Sequence, residues 1–158
     1  MFRNVRKKGN ARSEEEARQL LRTVRRGILA VNGDDGYPYA IPINFYYDEA
    51  ENRLCFHGSH AGHKTDALKR DDRVCFTVYG EEIIRDEDWA PYVVSAVLFG
   101  RCRPITAPEE AERCLRRFAL KYYPSQALVE EEIAATGRAV KMYEITIEHL
   151  TAKEVQER

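Results

Sequence analysis

The run Leu54-Cys55-Phe56-His57-Gly58-Ser59-His60-Ala61-Gly62-His63-Lys64-Thr65-Asp66-Ala67-Leu68 changes character twice. It opens inside an apolar strand, Arg53 to His57, crosses a glycine-bearing loop, and enters a short helix through His63 and Lys64. Free amides at a helix start, flanked by small residues and one lysine, form an anion site. A phosphate ester suits such a site, because the amides give direction and the lysine gives a point charge. The competing reading is a basic residue on a solvated helix start. The residues alone leave both readings open.

Upstream, Ser13-Glu14-Glu15-Glu16 has the form of a capping box, with acids suited to the helix dipole. Ala17, Leu20, Leu21 and Val24 recur at helical spacing behind it, so a helix to about Arg26 is expected. A strand follows, Gly27 to Asn32, and Gly33-Asp34-Asp35-Gly36 reads as a hairpin turn. Tyr37 to Tyr47 reads as one long strand, with Tyr39, Ile41, Ile43, Phe45 and Tyr47 on one face. Pro42 has no amide hydrogen, so this strand requires an edge or a bulge there.

Downstream, strands are expected at Arg73–Tyr79, Tyr92 to about Arg103, and Val140–Glu148. Ala111, Cys114, Leu115, Phe118 and Tyr122 form one face of a helix that Pro124 ends. A shorter helix covers about Gln126 to Ala135, stopped by Gly137. Six antiparallel strands with a few helices give an α+β chain, mainly β, closed as a barrel or sandwich. The expected layout is a basic N-terminal arm, 1–12, a single domain, 13–150, and a C-terminal tail, 151–158.

Composition narrows the function classes. The chain has 158 residues and a formal net charge of −1, so no global field draws in nucleic acid or an anionic membrane. Hydrophobic residues at 44% exclude a disordered chain, and no apolar run approaches the length of a membrane span. The basic start has no apolar segment behind it, which is unlike a secretory signal. The four cysteines, Cys55, Cys75, Cys102 and Cys114, form no Cys-x-x-Cys and read as small buried hydrophobes in a reducing cytoplasm. His57, His60 and His63 fall at three-residue spacing, but Gly58 and Gly62 interrupt them and no carboxylate completes a site, so no metal is expected. No Gly-x-Gly-x-x-Gly occurs, so a Rossmann nicotinamide site is not indicated. The Arg113, Arg116 and Arg117 cluster reads as a solvated helix face, Trp89 as a loop anchor or a cap over a ligand, and Tyr122-Tyr123 as closing the barrel or a dimer seam.

Taken in order, Gly36-Tyr37-Pro38-Tyr39-Ala40-Ile41-Pro42-Ile43-Asn44-Phe45, Leu54 to Gly58, Gly62-His63-Lys64 with Leu68, and Arg73-Val74-Cys75-Phe76 resemble one family. It is the pyridoxamine 5′-phosphate oxidase-like, FMN-binding split-barrel superfamily, in the branch related to nitroimidazole-resistance proteins. The resemblance covers about Glu14 to Leu150. It implies a six-stranded split β-barrel and a homodimer with FMN at the subunit interface. It further implies that Lys64 and His63 hold the flavin phosphate with Ser59 as a hydroxyl donor. Pro42, Ile43 and Asn44 back the ring, and Phe56, His57 and Gly58 line the ribityl or ring region. Ser95 falls where relatives place a polar flavin contact. His57 is the candidate catalytic residue, placed to position substrate or move a proton. The sequence departs from the vitamin B6 oxidase itself, whose closing arginine-rich segment with tryptophan is absent from Tyr143 to Leu150. The expectation is a cytoplasmic FMN-dependent oxidoreductase moving electrons between a reduced nicotinamide and a small acceptor, with a nitro-aromatic among the candidates. A non-catalytic flavin-, deazaflavin- or haem-binding protein of the same fold is the alternative.

Overall fold

The computed structural model describes residues 1–136 and 140–156. Its elements in chain order are β1 (Ala11–Arg12), α1 (Glu14–Thr23), β2 (Arg26–Asn32), β3 (Pro38–Asn44), β4 (Tyr46–Asp48), β5 (Arg53–Gly58), α2 (His63–Arg70), β6 (Arg73–Tyr79), β7 (Tyr92–Pro104), α3 (Pro108–Tyr122), α4 (Gln126–Thr136) and β8 (Lys141–Gln156). The capping box forms: Ser13 Oγ accepts from the Glu16 amide at 3.1 Å, and Glu16 Oε2 accepts from the Ser13 amide at 2.8 Å. Ala17 and Leu21 then point α1 into the core. In the β2–β3 hairpin, Asp35 (φ 55°) and Gly36 (φ 78°) both adopt the left-handed backbone that such a turn needs. Gly137 lies outside the described residues.

The strands form one antiparallel sheet in the order β3-β2-β6-β7-β8-β5-β4, with β1 added against β8. The two edges, β3 and β4, are consecutive in the chain and separated only by Phe45. One segment therefore supplies both ends of the sheet, which curls into a barrel left open along β3 and β5. Phe45, Phe56, Phe76, Leu29, Leu54, Leu98 and Ile145 fill its interior, each fully buried.

The expected six strands become eight. The run Tyr37–Tyr47 breaks at Phe45, where the Tyr122 hydroxyl from α3 accepts from the Phe45 amide at 2.9 Å and can donate to its carbonyl at 2.7 Å. A side chain thus occupies the backbone groups that a sheet neighbour would otherwise take. The eighth strand is β1, where Ala11 and Arg12 pair with Lys153 and Ala152. β8 also runs past Leu150 to Gln156, paired with β7, so the stretch from Thr151 is sheet rather than tail. Pro42 meets its requirement by position, since β3 is an edge strand and Pro42 sits opposite Ile28.

Candidate functional site: a groove along the split

The open seam carries a continuous groove. At one end, Arg25, Arg26, Ile28, Pro42, Asn44 and Tyr79 border a cavity of about 490 Å³ on the outer side of β3. In the middle, Arg26, Pro42, Ile43, Asn44 and His57 line the split itself. Beyond His57 it enters a recess of about 300 Å³ walled by Leu115, Phe118 and Tyr122 of α3 and Ile133 of α4. Asn44 belongs to all three parts, and its Oδ1 accepts from Arg26 Nε at 3.1 Å. Alternation along β3 explains the lining. Tyr39, Ile41 and Ile43 pack on the core, which leaves Ala40, Pro42 and Asn44 to face outward.

His57 stands at the exposed end of β5, its ring edge-on to Phe118 with centroids 5.1 Å apart. Burial of the ring, reinforced by the nearby Lys64 charge, holds its pKa below the ordinary imidazole value. The shift favours the neutral ring, with one N–H to donate and one lone pair to accept.

Lys64 lies behind His57. Its ammonium sits over the Phe56 ring at 4.9 Å and the Tyr143 ring at 5.9 Å, and those two rings stack at 5.3 Å. Among the described residues no carboxylate lies within ion-pair reach of it, and burial lowers its pKa. Two glycines shape its surroundings. A side chain at Gly58 would come within 3.1 Å of Lys64 Nζ and of the Tyr143 ring, so glycine keeps that space open. Gly62, at φ 120°, caps α2 without a side chain, leaving the first-turn amides to a ligand. The loop between them is fixed by Ser59, whose carbonyl accepts from Thr65 Oγ1 at 3.2 Å and the Tyr143 hydroxyl at 3.3 Å.

The structure brings Pro42, Ile43, Asn44 and His57 together along the split, while Phe56 is fully buried in the core beneath the Lys64 ammonium and Gly58 ends β5. Ser59 is adjacent, with its hydroxyl turned onto the Ala61 carbonyl. His63 turns the other way, stacked on Tyr39 at 4.1 Å and 3.4 Å from Asp34 Oδ2 at the hairpin turn. Ser95 is on the outer face of β7, paired with Tyr79 and Lys153, away from the His57 end of the groove. Among the described residues no group of three His, Cys, Asp or Glu could hold a metal ion. Sequence reasoning missed Arg25, Arg26, Tyr79, Phe118 and Tyr122 as groove residues. The signal available was Arg25-Arg26-Gly27, two basic residues at the boundary between a helix and a strand.

A model of the pyridoxamine 5′-phosphate oxidase family matches residues 13–154. The chain belongs to that family. No curated protein matches the sequence significantly. Among solved structures, the fold resembles a candidate 5-nitroimidazole antibiotic resistance protein from Bacteroides thetaiotaomicron (TM-score 0.75, 20% identity, 91% of this chain and 85% of that one). It resembles a FAD-binding protein from Mesorhizobium loti (TM-score 0.65, 19% identity, 92% and 96%). A FAD and haem binding protein from Mycobacterium smegmatis is also similar (TM-score 0.70, 22% identity, 92% and 72%). These likenesses establish the split-barrel fold. No helix among the described residues is long and apolar enough to cross a membrane.

Proposed function

We propose that the protein is a flavin-dependent oxidoreductase that binds FMN along the β3–β5 split. It would move electrons between a reduced nicotinamide and a small organic acceptor, a nitro-aromatic among them. The observation that carries this reading is Lys64, half-buried and meeting no carboxylate among the described residues, close to His57 of a groove backed by Pro42 and Asn44. A flat ring with a dianionic tail needs those two environments end to end. Bound flavin supplies the electron transfer. Lys64 and the first-turn amides of α2 hold the phosphate, the outer face of β3 supports the ring, and Asn44 and Arg26 offer polar groups at its edge. Phe118 and Tyr122 keep water from the recess beside His57. There the neutral imidazole orients an acceptor and can pass a proton to it.

A second copy of the chain completes the site in this proposal. The outer sheet face exposes Ile28 (37%), Tyr79 (64%) and, partly covered by Phe2, Phe99 (37%), apolar side chains that a second protomer would cover. Ser95 lies on this face, so it serves a flavin across the interface rather than in its own groove.

The visible spectrum of the purified protein, with added FMN, is the test. A two-band flavin spectrum that bleaches with reduced nicotinamide is expected, from a species of twice the chain mass. A Soret band, or colourless protein that takes up no flavin, would overturn the reading. Release of FAD on denaturation would correct the cofactor and keep the site.

A further inference from the structure

Cys55 and Cys114 are far apart in sequence, yet their Sγ atoms lie 3.2 Å apart inside the fold, joining β5 to α3. Both are buried, whereas Cys75 is half-buried on the outer face of β6 and Cys102 is buried alone. The pair sits in a small cluster with Phe118 and Met142, backed by Ala111 and Leu115. Ala111, Leu115 and Met142 also line a separate cavity of about 730 Å³ between α3 and α4. Neither sulfur is in its wall, so a small, uncharged oxidant entering there would have to pass Ala111, Leu115 or Met142 to reach the thiols. Charged groups surround the pair: Glu110 Oε1 is 3.6 Å from Cys114 Sγ, and Arg53 bridges Asp48, Glu110 and Glu144 beside it.

We infer that Cys55 and Cys114 are an oxidation site for hydroperoxides, closing reversibly to a disulfide that ties β5 to α3. The Cys114 thiolate attacks the distal peroxide oxygen. The O–O bond breaks, the sulfur becomes a sulfenic acid, and the other oxygen leaves as water or an alcohol. Cys55, losing its proton, then attacks that sulfur, and the sulfenic oxygen departs as water. In sum, two thiols and one hydroperoxide give one disulfide, one water and one alcohol or second water, with two electrons passing from sulfur to peroxide. The division of roles follows from the pair itself. The Cys55 S–H donates to Cys114 and lowers its pKa, while burial and the same contact push Cys55 up. The sulfurs need to approach by little more than an ångström to bond. Closure fixes α3 against the strand that carries Phe56 and His57, and Phe118 and Tyr122 of that helix wall the recess.

The test uses the full-length, reduced protein exposed to hydrogen peroxide, then alkylated, digested and read by mass spectrometry without reductant. The expected product is the Cys55 peptide linked to the Cys114 peptide, two hydrogens lighter than their sum and separated again by dithiothreitol. Its melting temperature should rise by roughly 5 °C or more, as a cross-link across a long loop does. Cys55→Ser and Cys114→Ser should abolish the link, and Cys75→Ser should keep it. Oxidation confined to Cys75, with Cys55 and Cys114 still alkylated after unfolding, would overturn the inference. Should either core variant fail to fold, the linked peptide and its reversal in the unmodified sequence decide the matter.

Discussion

Arg53 and Lys64 stand near opposite ends of β5, and they are treated in opposite ways. Arg53, at the start of the strand, is nearly buried and reaches three carboxylates: Glu144 at 2.6 Å, Asp48 at 3.2 Å, and Glu110. Lys64, past the end of the strand, is also desolvated, but it leans on aromatic faces and meets no carboxylate among the described residues. The first cation is satisfied by the fold that it ties together. The second is half-buried and met only by aromatic faces, an arrangement that an arriving anion would improve. Of these two cations, the informative one is Lys64, which meets no carboxylate among the described residues.

The largest test of that contrast removes the satisfied member. Arg53→Ala leaves Asp48, Glu110 and Glu144 facing one another without their cation. A loss of about 3–5 kcal/mol in unfolding free energy is expected, measured by denaturant titration. A loss under about 1 kcal/mol would show that the network contributes little. Lys64→Ala should behave in the reverse manner. Stability holds or rises, because no partner is orphaned, while FMN affinity falls by about 10- to 100-fold, the worth of a charge-assisted contact. Unchanged flavin affinity would remove Lys64 from the phosphate site.

Lys121 is another cation that meets no carboxylate among the described residues, and it sharpens the comparison through pH. Its ammonium donates to the Val24 carbonyl at 2.6 Å and lies over the Phe45 ring at 4.1 Å. Burial, with Arg25 adding repulsion, pulls its pKa down to about 8 from 10.5. Between those values the unfolded chain holds the proton that the folded chain has released, so this lysine's contribution to stability rises with pH across that window. Lys121→Met should flatten the rise in stability measured from pH 8 to 10.5. A curve identical to that of the unmodified protein would contradict the burial argument. The smallest effect belongs to an exposed pair: Lys69→Ala breaks the 3.1 Å contact with Asp66 and should shift the melting temperature by no more than about 2 °C.

Much of the fold was readable because its signals are local. The capping box at Ser13, the positive-φ turn at Asp35 and Gly36, and the edge position of Pro42 each depend on a few neighbouring residues. The break at Phe45 was not readable, since alternation runs through it unchanged. Tyr122, 77 residues away, is what holds it. β1 escaped notice for a related reason: two residues carry no pattern, and their strand exists only against β8. The site divides along the same line. Phe56, His57, Gly58 and Lys64 follow one another closely in the chain, so one short window names them, but only His57 lines the groove. The turn of His63 toward Asp34, the arrival of Arg26 beside Asn44, and the meeting of Cys55 with Cys114 all depend on pairings that no short window contains.

The break at Phe45 has a consequence for the protein in crowded solution. An open sheet offers unpaired backbone to any passing strand and can recruit copies of itself into fibres. Here both margins come from one segment, and each is blunted. β3 carries Pro38 and Pro42, which withhold amide hydrogens, and β4 is only three residues long. The seam can stay open for a small molecule while offering very little to aggregation.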